Sequence, residues 1–268
     1  MNLKKITVPE IVRMKKDGGK IAALTAYDYL MAKILDQAGI DIILVGDSVG
    51  MVVAGHSSTL PVTLEQILYH TQAVSRGVTR ALLVSDMPFL SFQVSEAQTI
   101  ENAGRLMKEG NAEAVKIEGG EPVAGVISKL VDFGIPVMGH LGLTPQSFHK
   151  FGGFKVQGRE EAAAGKLLQD AELLEKAGVF SIVLEKVPAS LAKRVSEALH
   201  IPTIGIGAGV GCDGQILVSH DMLGLYEDFH PKFARRYAEL ADEMKSAFKQ
   251  YIDDVKSARF PSDDESYF

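Results

Sequence analysis

Cysteine is almost absent from the sequence, since Cys212 is the only one among 268 residues. A single cysteine excludes an intrachain disulfide and a metal cluster held by the thiolates of one chain. A basic face is missing as well, because the formal net charge is −6 and no cluster of Lys and Arg stands out along the chain. Proteins that neutralise phosphate backbones need such a face, so we expect no nucleic-acid partner.

Long hydrophobic runs are also missing. The longest ones, such as 42–45 and 81–84, are far shorter than the ~20 residues that a bilayer span requires. The first residues, MNLKKITVPE, contain no apolar signal core. We therefore expect a cytoplasmic protein with no membrane partner.

Short apolar runs of strand length recur through the chain instead. Most of them are continuous and do not alternate with polar residues, which is typical of a parallel sheet covered by helices. The runs are 21–26, 41–47, 81–86, 113–118, 135–140, 180–185, 201–209 and 215–220.

The segments between these runs have helical spacing and end at glycine, the residue that commonly follows a helix. The spacing predicts helices at 29–38, 64–75, 96–109 and 161–177. Strand and helix alternate eight times without a break in composition, in a chain whose 268 residues are close to the ~250 of an α/β barrel. This favours a (β/α)8 TIM barrel, a single domain over 1–268, although eight strands alone do not exclude an open doubly wound sheet. A further helix is predicted at 231–256, followed by an acidic tail at about 257–268 that we expect to be frayed.

Polar residues stand at the ends of runs that are otherwise apolar. In an α/β barrel the active site lies at the carboxyl ends of the strands. The residues found there are Asp47, Asp86, Lys116, Glu118, His140, Glu185 and His220. Packing alone does not explain this bias, so we expect an active site at this end of the barrel.

Three of these residues, Asp47, Asp86 and Glu118, come from consecutive strands, which lie about 5 Å apart in a sheet. Two like charges ~4 Å apart repel by about 4 kcal/mol at an effective dielectric of about 20, so a proton or a cation must compensate them. Oxygen ligands without cysteine indicate a hard divalent ion, Mg²⁺ first and Mn²⁺ next. The alternative is that each acid caps a helix or pairs with a surface base.

Lys116 and Glu185 are candidates for the chemistry itself. Lys116 shares a strand face with Glu118 and could hold a substrate carboxylate or oxyanion; its alternative role is a buried ion pair with one of the acids. Glu185 is a candidate general base, with a salt bridge to Lys186 or Arg194 as the alternative.

His140 and two glycine-rich segments have less defined roles. His140 could donate a hydrogen bond to a substrate oxygen, or it could be a histidine satisfied within the core. The polar stretch 141–160 follows the fifth predicted strand and is a candidate active-site loop. The segment GIGAGVGCDGQ is similar to a phosphate-binding loop, but a tight turn between strand and helix explains it equally well.

Several of these segments resemble the ketopantoate hydroxymethyltransferase family. They occur in the same order from near the N-terminus to the eighth predicted strand. The segments are LTAYDY (24–29), LVGDSVGMVVAGHSSTLPVT (44–63), YHTQAV (69–74), VKIEGG (115–120), GHLGLTPQS (139–147), FGGFKVQGR (151–159), LEKVP (184–188) and IPTIGIGAG with DGQILV (201–218). Members of this family convert 3-methyl-2-oxobutanoate and 5,10-methylenetetrahydrofolate into 2-dehydropantoate, a step of pantothenate biosynthesis.

The resemblance implies a metal-dependent, aldolase-like barrel of the phosphoenolpyruvate/pyruvate type, assembled as a homodecamer. It implies that Asp47 and Asp86 bind Mg²⁺ and contact the substrate, with Glu118 as a further acid of the metal site that acts through water. Many members have asparagine after GIGAG where this chain has Val210, so no folate contact is implied for that side chain.

The same resemblance implies how the oxo acid is bound and activated. Ser48 and Lys116 are expected to bind it, and Glu185 is expected to remove the proton from its C3. A metal-stabilised enolate then attacks the one-carbon unit that the folate supplies. We therefore predict a hydroxymethyltransferase.

Two other functions fit a barrel of this kind. A carbon–carbon lyase or phosphonomutase would use the same metal pocket, but enzymes that resemble isocitrate lyase carry a catalytic cysteine in a KKCGH-like loop. Here the loop after the fourth predicted strand reads IEGGEP, and Cys212 lies between the seventh and eighth strands. A non-catalytic barrel that binds a small acid would need neither a base nor a metal.

Overall fold

Eight parallel strands pair in chain order, and the last pairs with the first to close a barrel. The strands are β1 (Ile21–Thr25), β2 (Ile42–Val45), β3 (Leu82–Asp86), β4 (Ala114–Glu118), β5 (Val137–Gly142), β6 (Ser181–Glu185), β7 (Thr203–Ile206) and β8 (Gly214–Leu217). This architecture comes from a computed structural model, which describes residues 4–227 and 231–268. The predicted (β/α)8 barrel is confirmed.

Helices connect the strands and cover the outside of the barrel. They are α1 (Val8–Lys16), α2 (Tyr29–Ala38), α3 (Val49–Val52), α4 (Leu64–Ser75), α5 (Glu96–Lys108), α6 (Glu121–Asp132), α7 (Phe148–Phe151), α8 (Glu161–Lys176) and α9 (Ala189–Ala198). A 3-10 turn, Pro145–Ser147, precedes α7. Side chains of Asp28, Thr63 and Ser95 accept hydrogen bonds from the first turns of α2, α4 and α5, which satisfies amide groups that have no partner within the helix.

The strands read as continuous apolar runs because both of their faces are buried. Every residue of β2, β3 and β4 is buried. One set of side chains, including Ile42, Leu82 and Ile204, fills the barrel interior, while a second set lies between the strands and the surrounding helices. Burial on both sides removes the alternation that marks a half-exposed strand.

Helix α1 closes the end of the barrel at which the strands begin. Ile6 and the fully buried Ile11 belong to the same cluster as the first residues of β1, β2 and β3. Lys15 Nζ donates hydrogen bonds to the carbonyl oxygens of Ser196 and Ile201, which precede β7. The carboxyl ends of the strands therefore form the open mouth of the barrel.

The chain divides into two compact units, Met1–Val218, which contains the barrel, and Ser219–Phe268. The second unit contains α10 (Ser219–Met222), α11 (Leu240–Lys256) and a 3-10 turn, Asp263–Glu265, within the acidic tail. A single domain over 1–268 stays a prediction. In the part of the chain that the structure describes, no helix combines the length and hydrophobicity of a membrane crossing.

Two boundaries predicted near the C-terminus are wrong. β8 ends at Leu217 because its pairing with β1 ends there, so His220 lies in α10 and not at the end of a strand. The helix predicted at 231–256 begins only at Leu240. Before this helix, the backbone N–H of Tyr237 donates to the carbonyl oxygen of Met222, so it does not form the hydrogen bond that a helix would require.

Gly142 ends β5 in a conformation that other residues rarely adopt, with φ +90°. A Cβ atom there would lie 2.3 Å from the carbonyl oxygen of Glu185, its pairing partner on β6. We expect Gly142→Ala to lower the free energy of unfolding by at least about 2 kcal/mol, measured by urea denaturation. The control Gly104→Ala, within α5, places its Cβ in open space and should raise stability by about 0.5–1 kcal/mol. Equal effects of the two changes would contradict this account.

Candidate active site

The polar residues predicted at the strand ends come from adjacent strands in matching register. Asp86 of β3 pairs with Lys116 of β4, and Glu118 pairs with His140 of β5. Glu185 is the last residue of β6, and Asp47 follows β2 by two residues. The structure thus brings these side chains together at the open mouth of the barrel, whereas His220 lies in the second unit.

Lys116 lies among the acids. Its Nζ is 2.8 Å from Asp86 Oδ1 and 3.9 Å from Glu118 Oε1. The backbone N–H of Asp47 donates to Asp86 Oδ2 at 3.1 Å, so Asp47 lies directly beside Asp86. All four residues are buried, so their charges interact with little screening by water.

The pKa values of this group reflect burial first and charge second. Burial, together with the charges of Asp86 and Glu118, raises the pKa of Asp47 well above its usual value. Burial also raises the pKa of Asp86, despite its contact with Lys116. The pKa of Lys116 is raised because attraction by the three acids outweighs burial. The lysine is therefore an ammonium ion, and a further positive charge would stabilise the ionised forms of Asp47 and Asp86.

Glu118 is held by more groups than the other two acids. Its Oε2 accepts a hydrogen bond from the backbone N–H of Gln146 at 3.0 Å, and its Oε1 lies 3.4 Å from His140 Nδ1. Burial alone would raise the pKa of Glu118, but hydrogen bonding and charge from His140, and the charge of Lys116, lower it. Glu118 is thus compensated within the protein.

These contacts decide which side chains could hold a metal. In the residues that the structure describes, no three His, Cys, Asp or Glu side chains are close enough together to hold an ion. Asp47 and Asp86, which have raised pKa values, supply oxygen donors suited to a hard divalent cation. The residues fit a site with two carboxylate ligands, completed by water or substrate oxygens, better than one with three.

Tyr27 and Gln146 contact the predicted site residues but were not predicted themselves. The hydroxyl of Tyr27 lies 2.7 Å from Ser48 Oγ, and Gln146 Nε2 donates to Asp47 Oδ2 at 3.0 Å. Both are buried. Tyr27 lies in the segment LTAYDY, which resembles the family, and Gln146 lies in the predicted active-site loop 141–160. The sequence thus indicated both regions but not the individual contacts.

His140 connects the acids to the candidate base. Its Nε2 lies 3.3 Å from Glu185 Oε2, and its Nδ1 lies 3.3 Å from Lys116 Nζ. Burial and the charge of Lys116 favour the neutral ring, but contacts with Glu118 and Glu185 outweigh them and raise the pKa of His140 to about 9. His140 is therefore buried and packed among charged groups, and its hydrogen bond to a substrate oxygen stays a prediction.

The shifted pKa of His140 predicts a pH dependence of stability for the metal-free protein. The folded pKa of about 9 exceeds the unfolded value of 6.5, so the charged ring stabilises the fold fully below the unfolded pKa. That stabilisation is lost as the pH rises through the folded pKa. Urea unfolding with a chelator present should show wild-type protein losing about 2–3 kcal/mol more than His140→Gln between these pH values. The control His200→Gln, at a 92% exposed side chain, should follow wild type; a His140→Gln curve parallel to wild type would refute the assignment.

Comparison with known sequences gives a consistent result. The profile of the family described as Ketopantoate hydroxymethyltransferase matches residues 5–263. A 3-methyl-2-oxobutanoate hydroxymethyltransferase from Christiangramia forsetii is 58% identical over 264 residues, which cover 98% of this chain and 97% of that protein. The protein of the same name from Syntrophus aciditrophicus is 56% identical over 264 residues, with the same coverage.

Solved structures with similar folds have much lower sequence identity. Phosphonopyruvate hydrolase superposes with a TM-score of 0.62 at 12% identity, covering 97% of this chain and 93% of that one. For 2,3-dimethylmalate lyase, a member of the PEP mutase/isocitrate lyase superfamily, the TM-score is 0.61 at 13% identity, covering 98% of this chain and 89% of that one. At such identities the likeness shows the barrel fold alone.

Proposed function

The chain belongs to the ketopantoate hydroxymethyltransferase family, and on that basis we propose that it transfers a hydroxymethyl group from 5,10-methylenetetrahydrofolate to 3-methyl-2-oxobutanoate. The products are 2-dehydropantoate and tetrahydrofolate, with water supplying the hydroxyl oxygen. The observation that carries this proposal is the placement of a buried pair of acids, a buried ammonium ion and a further acid, Glu185, at one mouth of the barrel.

Asp47 and Asp86 are proposed to hold Mg²⁺ and to lie against the oxo acid. Burial raises the pKa values of both acids, and repulsion adds to it, from Asp86 and Glu118 for Asp47 and from Glu118 for Asp86. A bound cation relieves this electrostatic condition. A divalent cation there supplies the positive charge that makes a proton next to a carbonyl group easier to remove. Glu118 is proposed to contact the cation site through water, since its own oxygens face His140 and the backbone of Gln146.

Lys116 and Ser48 are proposed to bind the oxo acid. The Lys116 ammonium ion is buried beside Asp86, so it can attract a carboxylate or a developing oxyanion where water screens little. Ser48 directly follows Asp47, and its hydroxyl is oriented by the Tyr27 hydroxyl at 2.7 Å. A fixed hydroxyl and a fixed cation would hold the small substrate in one orientation.

Glu185 is proposed to take the proton from C3 of the oxo acid. Its side chain is 14% exposed, and its Oε2 lies 3.3 Å from His140 Nε2, so the base is held by a neighbour while its carboxylate borders the mouth. Loss of the C3 proton leaves an electron pair that forms the new bond to the methylene carbon from the folate. C3, which keeps its bonds to three carbons of the substrate, then carries the transferred carbon, whose bonds to the two folate nitrogens are broken and whose hydroxyl oxygen comes from water.

The protein is proposed to act in the cytoplasm as a homodecamer. Helix α11 supports self-association because one of its faces carries exposed apolar side chains at spacings of four, three and four residues. They are Met244, Phe248, Tyr251 and Val255, with exposed fractions of 45% to 57%. Such a face is typical of a helix that packs against another molecule. Light scattering of the purified protein tests this: a monomer of 28.9 kDa would contradict it.

Exchange of the C3 proton of 3-methyl-2-oxobutanoate in deuterated water tests the proposed function. We expect loss of the C3 proton signal in NMR spectra with Mg²⁺, much slower loss after chelation, and formation of 2-dehydropantoate once methylenetetrahydrofolate is added. A barrel that only binds the acid would give no exchange under either condition. A lyase would cleave the substrate or leave it unchanged when the folate is added.

A further inference from the structure

Gln146 links three strand ends although it comes from a different loop. It lies in the 3-10 turn that follows β5 and is 7% exposed. Its side-chain Nε2 donates to Asp47 Oδ2 after β2 and to the carbonyl oxygen of Met87 after β3, each at 3.0 Å. Its backbone N–H donates to Glu118 of β4, also at 3.0 Å. One residue therefore contacts two of the three acids of the candidate metal site.

The orientation of the Gln146 amide follows from its neighbours. Two acceptors, a carboxylate oxygen and a carbonyl oxygen, converge on the nitrogen, and only the NH₂ end of an amide can donate to both. At the other end, Gln93 Nε2 donates to Gln146 Oε1 at 3.4 Å. Rotation of the amide by half a turn would place oxygen against oxygen, so the side chain is fixed in one orientation.

The contact matters most for Asp47. The Asp47 carboxylate is repelled by Asp86 and Glu118. Asp47 lies in the loop after β2, two residues beyond the last residue of that strand. A carboxylate in that position would relieve repulsion by rotating away unless a donor holds it. Gln146 supplies that donor at Oδ2 and so restricts the directions in which the carboxylate can face.

We propose that Gln146 is a positioning residue of the cation site, which holds Asp47 by its side chain and Glu118 by its backbone in the arrangement that binds a divalent ion. This inference rests on the proposed function. Residues that hydrogen-bond to metal ligands fix the ligand geometry, and their loss typically weakens metal binding by roughly 10–100-fold. The loop after β5 thereby contributes to a metal site whose acids come from β2, β3 and β4.

The experiment is a calorimetric titration of the metal-free protein with MgCl₂ alone, using wild type and Gln146→Met. Methionine matches glutamine in length but has no donor, and the backbone N–H to Glu118 is retained. We expect the Kd for Mg²⁺ to rise roughly 10–100-fold. The Mg²⁺ concentration for half-maximal C3 exchange should rise by the same factor, while the maximal rate changes less than about threefold. If Gln146 had a purely structural role, a higher Mg²⁺ concentration would not restore the exchange rate of the variant.

Gln169→Met is the matched control, because Gln169 lies on the exposed face of α8 and its Kd should stay within about twofold of wild type. If Gln146→Met does not fold, Gln146→Ala removes the same donor without adding bulk and carries the same expectation. Equal Mg²⁺ affinity of wild type and the Gln146 variant would overturn the inference and leave the proposed function standing. Absence of Mg²⁺ binding by wild type would overturn the inference together with the proposed cation site, whereas failure of the C3 exchange and product assays would overturn the proposed function.

Discussion

Replacing Glu185 by glutamine is expected to slow exchange of the C3 proton of 3-methyl-2-oxobutanoate by roughly 10²–10⁴-fold. The amide keeps the size of the side chain and can still contact His140, whose Nε2 lies 3.3 Å from Glu185 Oε2, but it cannot accept the proton. Exchange is measured by NMR in deuterated water with saturating Mg²⁺. No folate is needed, so the proton-removal step is isolated from carbon–carbon bond formation.

Two controls separate loss of the base from loss of the site. Glu197→Gln changes an exposed residue of α9 whose side chain is 64% exposed, and it should exchange the proton at the wild-type rate. Mg²⁺ affinity of Glu185→Gln should remain close to wild type, because the proposed ligands are Asp47 and Asp86. If Glu185→Gln exchanged the proton as fast as wild type, another group would be the base.

Lys116→Met is expected to lower the free energy of unfolding of the metal-free protein by about 3–5 kcal/mol near neutral pH. The substitution removes the ammonium ion that lies 2.8 Å from Asp86 Oδ1 and leaves the buried Asp47 and Asp86 without its compensating charge. The measurement is urea unfolding with a chelator, followed by the same experiment with Mg²⁺. A cation that binds only the folded protein should restore part of the lost stability.

The effect of Lys116→Met should also depend on pH with a defined sign. Burial raises the pKa values of Asp47 and Asp86, and the charge of Lys116 lowers them, so removing Lys116 raises both pKa values further. Protonation of these acids then stabilises the folded variant more than wild type, and the deficit should shrink from about pH 8 to about pH 5. Lys193→Met, which removes an exposed ion pair with Glu197, should change stability by less than about 1 kcal/mol at each pH. A pH-independent deficit in Lys116→Met would argue that lost packing dominates.

The fold could be predicted from the sequence because its signals are local. Continuous apolar runs ending in polar residues follow from strands buried on both faces, and the glycine after α2 adopts φ +89°, as helix-ending glycines often do. The C-terminal boundary could not be predicted in this way. Residues 231–239 continue a helical pattern of apolar residues, but the backbone N–H of Tyr237 donates to the carbonyl oxygen of Met222 and not to a carbonyl oxygen of its own segment, as it would in a helix. The spacing of apolar residues carries no information about such a tertiary hydrogen bond.

The candidate site was predictable to the extent that it follows strand order. Neighbouring strands of a parallel barrel place Asp86 beside Lys116 and Glu118 beside His140, so residue type and chain order suffice. Gln146 could not be predicted, because its contact with Asp47 joins residues 99 positions apart through a loop conformation. For Lys116, the ion pair that was one of two alternatives is present, and substrate binding stays a proposal.

The barrel is closed at one end and open at the other. Helix α1 packs Ile11 into the end where the strands begin, and side chains fill the interior behind the acids. Both reactants and both products must therefore pass through the open mouth of the barrel. If the oxo acid binds at the buried Lys116 as proposed, it lies deeper than a folate that follows it through the mouth. We then expect the acid to bind before the one-carbon donor, and tetrahydrofolate to leave before 2-dehydropantoate.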